Sequence, residues 1–377
     1  MSDTITTSDI AAPQDAAALL HRFLRRLRDR RAAQSASRPQ QPADANDEQR
    51  ALTLADAAMS DCLGDDDWLR RPRQVAVVGP TQTGKSSVVN WMLGAPVAEV
   101  SPLAGFTIHP QGFARGGDID APWTDRLFPG RRRTPRAELS RDDLVAYSLE
   151  WVAGDGCDPD AAFQVVWDTP DFDSLAATSY GDAVLESIAL ADVIVLVLSK
   201  EKYSDLSVWR LLRLIEPLAR PLVVCVNKLT PDSAQPVLRS VRERLSEFGG
   251  EYRGAPVVAL SYLERASEYP PSAAELRRVV REQMEAVDRG ARAPGACRLI
   301  RAHWDAWVAP IEAETAAQHA WRDVCAEAIR AALEAYERDF LNHPQRFDTF
   351  RRAVVELSQL LEPPRTAAVL GSVRWLA

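Results

Sequence analysis

The sequence predicts an α/β fold: a three-layer sandwich around a mostly parallel, six-stranded sheet with one antiparallel strand, followed by a C-terminal helical region. Three observations predict it. From residue 73 to about 288, short apolar runs alternate with helix-length amphipathic segments, as they do when parallel strands are joined by helices covering both faces of a sheet. The first apolar run, Val75-Ala76-Val77-Val78, leads at once into a glycine-bearing loop and a helix. Beyond residue 291, helical periodicity takes over and strand-like runs cease.

Residues 1–48 read as a flexible arm. Within it Leu19, Leu20, Phe23, Leu24 and Leu27 recur at helical spacing among Arg22, Arg25, Arg26, Arg28, Arg30 and Arg31, a basic amphipathic helix. Such a helix rests on an anionic membrane surface, on a partner, or on the protein's own core. Residues 33–48 are polar and proline-bearing, which suits a linker, and a helix is expected over 49–63. The main domain is expected over 49–290, with strands at 74–78, 109–114, 162–167, 192–198, 221–226 and 255–260. Helices are expected near 85–93, 174–190, 204–218, 233–248 and 272–287. Strand 109–114 follows the first helix without a full crossover, so it is expected to pair antiparallel. The stretch 116–160 is longer than an ordinary connection and reads as an insertion with one helix near 140–152.

Residues 291–377 form the helical region. Trp321, Val324, Ala328, Ala332, Tyr336 and Phe340 recur at three- and four-residue steps, Pro310 predicts a break, and His343-Pro344 predicts a turn. The bundle is expected to pack on itself or on the first domain. The apolar stretch Ala367–Ala377 suggests that a natural chain continues past it.

Composition narrows the class. A net charge of −8 argues against a general nucleic-acid coat. The five cysteines Cys62, Cys157, Cys225, Cys297 and Cys325 form no C-x-x-C pair, so disulfide and zinc frameworks are not expected and a reducing cytoplasm is. No stretch reaches the roughly 18 uncharged apolar residues of a membrane span, and no secretory leader pattern is present. A cytoplasmic protein is expected, with contact at the inner face of a membrane left open by the arm.

The chemistry is concentrated in four segments. Gly79-Pro80-Thr81-Gln82-Thr83-Gly84-Lys85-Ser86 fits G-x-x-x-x-G-K-[ST] between a strand and a helix that opens with Ser87. This is a P-loop, whose backbone N–H groups curl round a polyphosphate at the positive end of the helix. Lys85 reaches the β- and γ-phosphates, and the Ser86 hydroxyl takes a coordination position on Mg²⁺. The only lysines in the chain are Lys85, Lys200, Lys202 and Lys228; a compact ammonium, unlike a guanidinium, suits a tight phosphate cradle. About twenty residues on, Ser101-Pro102-Leu103-Ala104-Gly105-Phe106-Thr107 offers a threonine that can close over the nucleotide, its hydroxyl on Mg²⁺ and its N–H on the γ-phosphate; Thr107 is the first choice and Ser101 the alternative. Asp168 ends the apolar run from Phe163 to Trp167 and suits a metal held through water, its alternative being a helix cap. Asn227 and Lys228 end a further buried run and suit bracing of the P-loop and cover for the base. Ser261 ends the last strand, where a backbone N–H can meet a guanine carbonyl.

In this order and spacing, residues 73–288 resemble the P-loop NTPases of the translation-factor-like GTPase class, nearest its Era-like and dynamin-like branches. Gly79–Ser86 looks like the first motif, Thr107 the switch I threonine, Asp168-Thr169-Pro170 the opening of D-x-x-G, Asn227-Lys228 the start of N-K-x-D, and Ser261 the S-A-K serine. The resemblance implies Mg²⁺ and GTP or GDP as ligands and hydrolysis of GTP. Two departures qualify it. The D-x-x-G glycine is Asp171, whose carboxylate about 5 Å from a γ-phosphate would be repelled by roughly 3 kcal/mol at an effective dielectric near 20; the segment is therefore expected to point this side chain away or to stand back from the nucleotide. Phe172 follows, so no side chain there orients water. The N-K-x-D aspartate is Thr230, which cannot reproduce a bidentate, charge-assisted contact to guanine, at a cost of about 1.5 to 3 kcal/mol in base preference.

The expectation is a GTP-binding switch with weak intrinsic hydrolysis, coupled to the helical tail, with Lys85 and Thr107 as the groups that act on the reacting phosphate. A homodimer or an activating partner would supply the missing group. The alternatives are a non-catalytic scaffold of the same fold and a dynamin-like membrane device; an RNA-directed role is not expected, because no basic module follows.

Overall fold

The computed structural model describes residues 13–37, 43–101, 103, 105–115, 122–152, 165–173, 177–261 and 270–361. The chain divides into two compact units, Met1–Asp305 and Ala306–Ala377.

The first unit opens with α1 (Pro13–Ser37), α2 (Ala43–Cys62) and the single turn α3 (Asp66–Leu69). Then come β1 (Gln74–Val78), α4 (Lys85–Leu93), β2 (Gln111–Ala114), β3 (Arg132–Arg133) and β4 (Ala146–Trp151). The second half alternates β5 (Val165–Asp168), α5 (Ala177–Leu190), β6 (Val193–Ser199), α6 (Leu206–Ile215), β7 (Leu222–Leu229), α7 (Pro231–Phe248), β8 (Val257–Ser261) and α8 (Ala273–Glu285). The strands form one sheet in the order β3-β4-β2-β5-β1-β6-β7-β8. All neighbours are parallel except β2 and β5, which run antiparallel with Gln111 opposite Asp168.

The sheet thus has eight strands rather than the six expected. The two extra strands come from the segment read as an insertion, and the helix expected near 140–152 is instead strand β4. Its residues Ala146-Tyr147-Ser148-Leu149 are all buried, and β4 pairs in register with β2. An open sheet edge with unpaired backbone groups and two covered faces outweighs a weak local helical pattern. Residues 116–121 and 153–164, the rest of that segment, lie outside the described residues.

The central strands are buried along their whole length, as expected for a sheet covered on both faces. On one face Val75, Val77, Val195 and Val223 pack with Val88, Met92 and Leu93 of α4 and Leu276, Val280 and Met284 of α8. On the other, Trp167 stands edge-on to Phe128 at 4.9 Å between centroids, beside Tyr147, Leu190 and Trp68. The Trp167 indole N–H donates to Gln74 Oε1 at 2.7 Å, so the ring buries its area without stranding its donor.

The basic helix expected in the arm is α1, and its apolar side is covered. Leu24 and Leu27 are buried where α1 packs on α2, and Phe23 meets Trp304 at 5.7 Å. Below the sheet, the buried Asp61 and Asp192 gather Arg71, Arg220, Arg289 and Arg292. Arg292 is the first residue of α9 (Arg292–Tyr336), so this cluster ties α2, β6 and the start of α9 together.

In the second unit α9 runs on without the break expected at Pro310. Pro310 is exposed, so water can take up the hydrogen bond that its ring removes. After a π-turn at Glu337–Leu341, α10 (Pro344–Leu361) begins at the predicted turn, with proline at its first position. Trp321, Val324, Tyr336 and Phe340 are exposed, and the last two rings stack at 5.4 Å. Residues 362–377, including the apolar stretch from Ala367, lie outside the described residues.

Candidate functional site: the loop between β1 and α4

The C-terminal ends of β1, β5, β6 and β7 converge on the loop Gly79–Gly84, where the order of an open sheet reverses direction and ligands commonly bind. The loop has almost no freedom of composition at its two ends. A Cβ on Gly79 would lie 2.4 Å from the Val197 carbonyl oxygen, and Gly84 sits in the left-handed region at φ 89°. Gln82 is also left-handed, at φ 61°, so the backbone coils tightly before α4. Inside the loop the Thr83 hydroxyl donates to the Pro80 carbonyl at 2.9 Å, which also accepts from Lys85 Nζ at 3.2 Å.

Two residues of β7 brace this loop from below. The Asn227 amide donates to the Thr83 carbonyl at 3.0 Å, and Lys228 Nζ donates to the Gln82 carbonyl at 2.7 Å. A Cβ on Gly84 would collide with the Asn227 amide nitrogen at 2.5 Å, so the glycine is required by packing as well as by φ. Ser261 lies at the exposed end of β8, opposite Leu229; residues 262–269 lie outside the described residues. Thr230 caps α7: its hydroxyl and backbone exchange hydrogen bonds with Ser233 in a capping box. That hydroxyl is therefore engaged within the helix end.

The mouth of the loop is a small cleft lined by Gly84, Lys85, Ser86, Ser87, Thr107 and Asp171 among others. Thr107 is half-buried there, on the segment that also contributes Ser101 and Phe106. Ser86 Oγ donates to Asp168 Oδ2 at 2.7 Å. Asp168 is almost wholly buried, and its Oδ1 has no hydrogen-bond partner among the described residues. Burial pushes the Asp168 carboxyl up to about 6, with the Ser86 hydroxyl and the Lys85 ammonium pulling the other way. A buried carboxylate with one oxygen unsatisfied, next to a hydroxyl at the foot of a phosphate loop, is a donor set that fits Mg²⁺ held mainly by phosphate and water. Among the described residues no group of three or more His, Cys, Asp or Glu could hold a metal without such help.

Switch-like residues fall differently from expectation. Asp171 does not point away from the cleft: its carboxylate is paired with Lys85 Nζ and accepts from the Gly105 N–H at 3.1 Å. The lysine's positive charge attracts the nearest carboxylate within reach. Phe172 is buried. Asp173 reaches the other end of the loop, accepting from the Thr81 N–H at 2.6 Å and the Thr81 hydroxyl at 2.7 Å, while Lys202 Nζ donates to its other oxygen at 2.9 Å. Although burial pushes the Asp173 carboxyl up, the hydrogen bonds from Lys202 and Thr81 hold it below the usual range. Arg141 adds a further hold, donating to the Phe106 carbonyl at 3.2 Å. Sequence reasoning missed Asp173, Lys202 and Arg141 as parts of the site. The rarity of lysine was the available signal for Lys202.

Residues 74–228 match the family model described as "50S ribosome-binding GTPase". A GTPase Der from Bradyrhizobium sp. is 28% identical over 200 residues, 53% of this chain and 36% of that protein, so the chain spans little more than a third of that relative's length. Among solved structures, an Era variant from Aquifex aeolicus bound to GDP·AlF4⁻ is 19% identical, covers 58% of this chain and 57% of its own, and superposes with a TM-score of 0.35. Era in complex with MgGDPNP and a segment of 16S ribosomal RNA is 18% identical over the same shares, with a TM-score of 0.36. At those scores the superpositions carry no weight; the fold rests on the strand order and on the P-loop at its switch point.

Proposed function

We propose, from the premise that residues 74–228 are a GTPase domain of the 50S ribosome-binding GTPase family, that the chain binds Mg²⁺ with GTP or GDP and hydrolyses GTP slowly. The observation that carries this is the convergence in one cleft of Lys85, Ser86 and Thr107, with the buried Asp168 accepting a hydrogen bond from Ser86 and the loop held in shape by Asn227. When bound, Mg²⁺ supplies charge neutralisation across the phosphates. The chain's own groups do the rest: loop N–H groups and Lys85 bind the phosphates, Ser86 and Asp168 orient the metal, and Thr107 closes over the reacting end. Slow turnover follows from Phe172, which offers no polar atom to orient water and is itself buried.

The coupled element in this reading is α9, which starts at Arg292 in the Asp61–Asp192 cluster at the foot of the central strand β6. Guanine selectivity is weak in this reading, because Thr230 serves the cap of α7. A contact with a membrane through α1 would first have to release Leu24 and Leu27 from α2; no helix among the described residues is long and apolar enough to cross a membrane.

A second reading, a nucleotide-holding scaffold without turnover, is favoured by Asp171 standing on Lys85. Identifying the nucleotide released on denaturation, with a phosphate-release assay on the wild type and Lys85→Ala, decides between them. Bound guanine nucleotide with turnover lost in the variant supports the switch. Bound nucleotide with equal background rates supports the scaffold, and loss of both readouts removes nucleotide binding altogether.

A further inference from the structure

Asp171 stands where the related motif has a residue without a side chain, and its carboxylate has found two partners that a terminal phosphate would otherwise join. One is the Lys85 ammonium, which in a loop of this type reaches the β- and γ-phosphates. The other is the Gly105 N–H at 3.1 Å, on the segment that carries Thr107 and lines the same cleft. Both Lys85 and Asp171 are buried, so the pair is shielded from the screening that weakens exposed ion pairs.

The arrangement is held from a second point. Two residues on, Asp173 is pinned to the start of the loop by the Thr81 N–H and hydroxyl and by Lys202. Phe172 between them is buried. The segment Asp171–Asp173 therefore spans the loop like a staple, one carboxylate at each end, and the Asp171 end sits over the phosphate-binding lysine.

We propose that Asp171 is a specificity-determining residue: its carboxylate takes the γ-phosphate's place on Lys85 and the Gly105 N–H, so that the site selects nucleoside diphosphates over nucleoside triphosphates. A diphosphate leaves that place free and is met by the loop N–H groups, Ser86 and the shared ammonium. A triphosphate must drive a like charge off its counter-ion before it can enter. The bias acts against the triphosphate by both electrostatic repulsion and competition for the same donors. This inference rests on the nucleotide-binding reading above and refines it.

The test is calorimetric titration of the full chain in excess Mg²⁺ with GDP and with the non-hydrolysable triphosphate GMPPNP, repeated on Asp171→Gly and Asp171→Asn. Asparagine keeps the side-chain volume, and circular dichroism melts report whether each variant is folded. The expected result is at least tenfold tighter binding of GDP than of GMPPNP by the wild type, and a ratio at least tenfold smaller in both variants, chiefly through tighter GMPPNP binding. GMPPNP binding that appears only in the variants is the same result in its extreme form. Equal affinities in the wild type, or a ratio unchanged in folded variants, overturn the role of Asp171 while leaving nucleotide binding intact. Absence of heat with either nucleotide in all three proteins overturns the nucleotide reading and this proposal with it.

Discussion

Ser86 Oγ donates to Asp168 Oδ2 at 2.7 Å, while Asp168 Oδ1 is buried without a partner among the described residues. The carboxyl is pushed up to about 6 by burial, so the folded protein holds this proton more tightly than the unfolded chain does. The sign follows: as pH rises from about 4 through 6, the folded state must ionise a group that the unfolded chain ionises more easily, and stability falls. Raising a carboxyl by about two pH units on folding costs about 3 kcal/mol once the group is ionised in both states. In the absence of Mg²⁺ and nucleotide, Asp168→Asn is therefore expected to melt higher than the wild type at pH 7.5 and to match it near pH 4.5. Thermal melts across that range check this; a lower melting point for the variant at pH 7.5 refutes it.

The same carboxylate should be needed ionised for the metal. Mg²⁺-dependent stabilisation by GDP is expected to weaken as pH falls through about 6 in the wild type and to be small at every pH in Asp168→Asn. The measurement is the rise in melting temperature on adding Mg²⁺ and GDP at fixed concentrations. Equal rises in both proteins at pH 7.5 would remove Asp168 from the metal site.

Asn227 has its amide on the Thr83 carbonyl, inside the turn that shapes the phosphate loop. Asn227→Ala leaves that buried carbonyl without its donor, which costs about 1 to 3 kcal/mol. Because the loop is the element affected, nucleotide affinity is expected to fall about tenfold alongside a modest loss of thermal stability. Titration with GDP and a melt of the free protein separate the two effects, and unchanged affinity would reduce Asn227 to a structural residue.

What could be read from the residues was the part of the site that backbone geometry dictates. Gly79 and Gly84 are fixed by close approach and by φ, and Lys85 and Ser86 follow them at set spacing, so the loop was legible at once. Asn227 was legible because a buried strand that stops at an amide beside such a loop has few other uses. Asp171 was legible as a charge but not as a contact, since the sign of its interaction with phosphate says nothing of where it goes when Lys85 is the nearest charge. The partnership of Asp173 with Lys202 joins residues with no shared pattern. Likewise β4 depended on a vacant sheet edge at β2, which no local window reveals, and Pro310 broke nothing because it faces solvent.

Leu24 of α1 is fully buried, on a helix whose other side carries arginines. If the docking of α1 on α2 contributes to the stability of the main domain, Leu24→Ala should cost about 2 to 5 kcal/mol, the range for a buried leucine truncated beside partners that cannot fully relax. Urea unfolding checks the magnitude. A change below about 0.5 kcal/mol would show that α1 is held only loosely.

Asp192 tests the cluster beneath the sheet. It accepts from the Gln74 N–H at 2.9 Å and from Arg289 and Arg292. Burial pushes its carboxyl up, but those guanidinium groups and the amide outweigh burial and hold it well below the usual carboxylate range. A depressed folded value means that the stabilisation is present above about pH 4, where the unfolded carboxyl is already ionised, and is lost as pH falls below it. Asp192→Ala leaves Arg292 with Asp61 alone in a buried setting that also holds Arg71 and Arg220, so an unbalanced positive charge remains out of water. The expected cost is about 3 to 5 kcal/mol at pH 7, and the gap between variant and wild type should narrow as the pH is lowered toward 3. Replacing Arg292 as well, by methionine, should recover part of the loss, because it removes the excess charge and keeps the volume. Unfolding of the two single variants and the double variant at pH 7 and pH 4 measures that coupling; strictly additive losses would mean that Asp192 and Arg292 do not act as a pair.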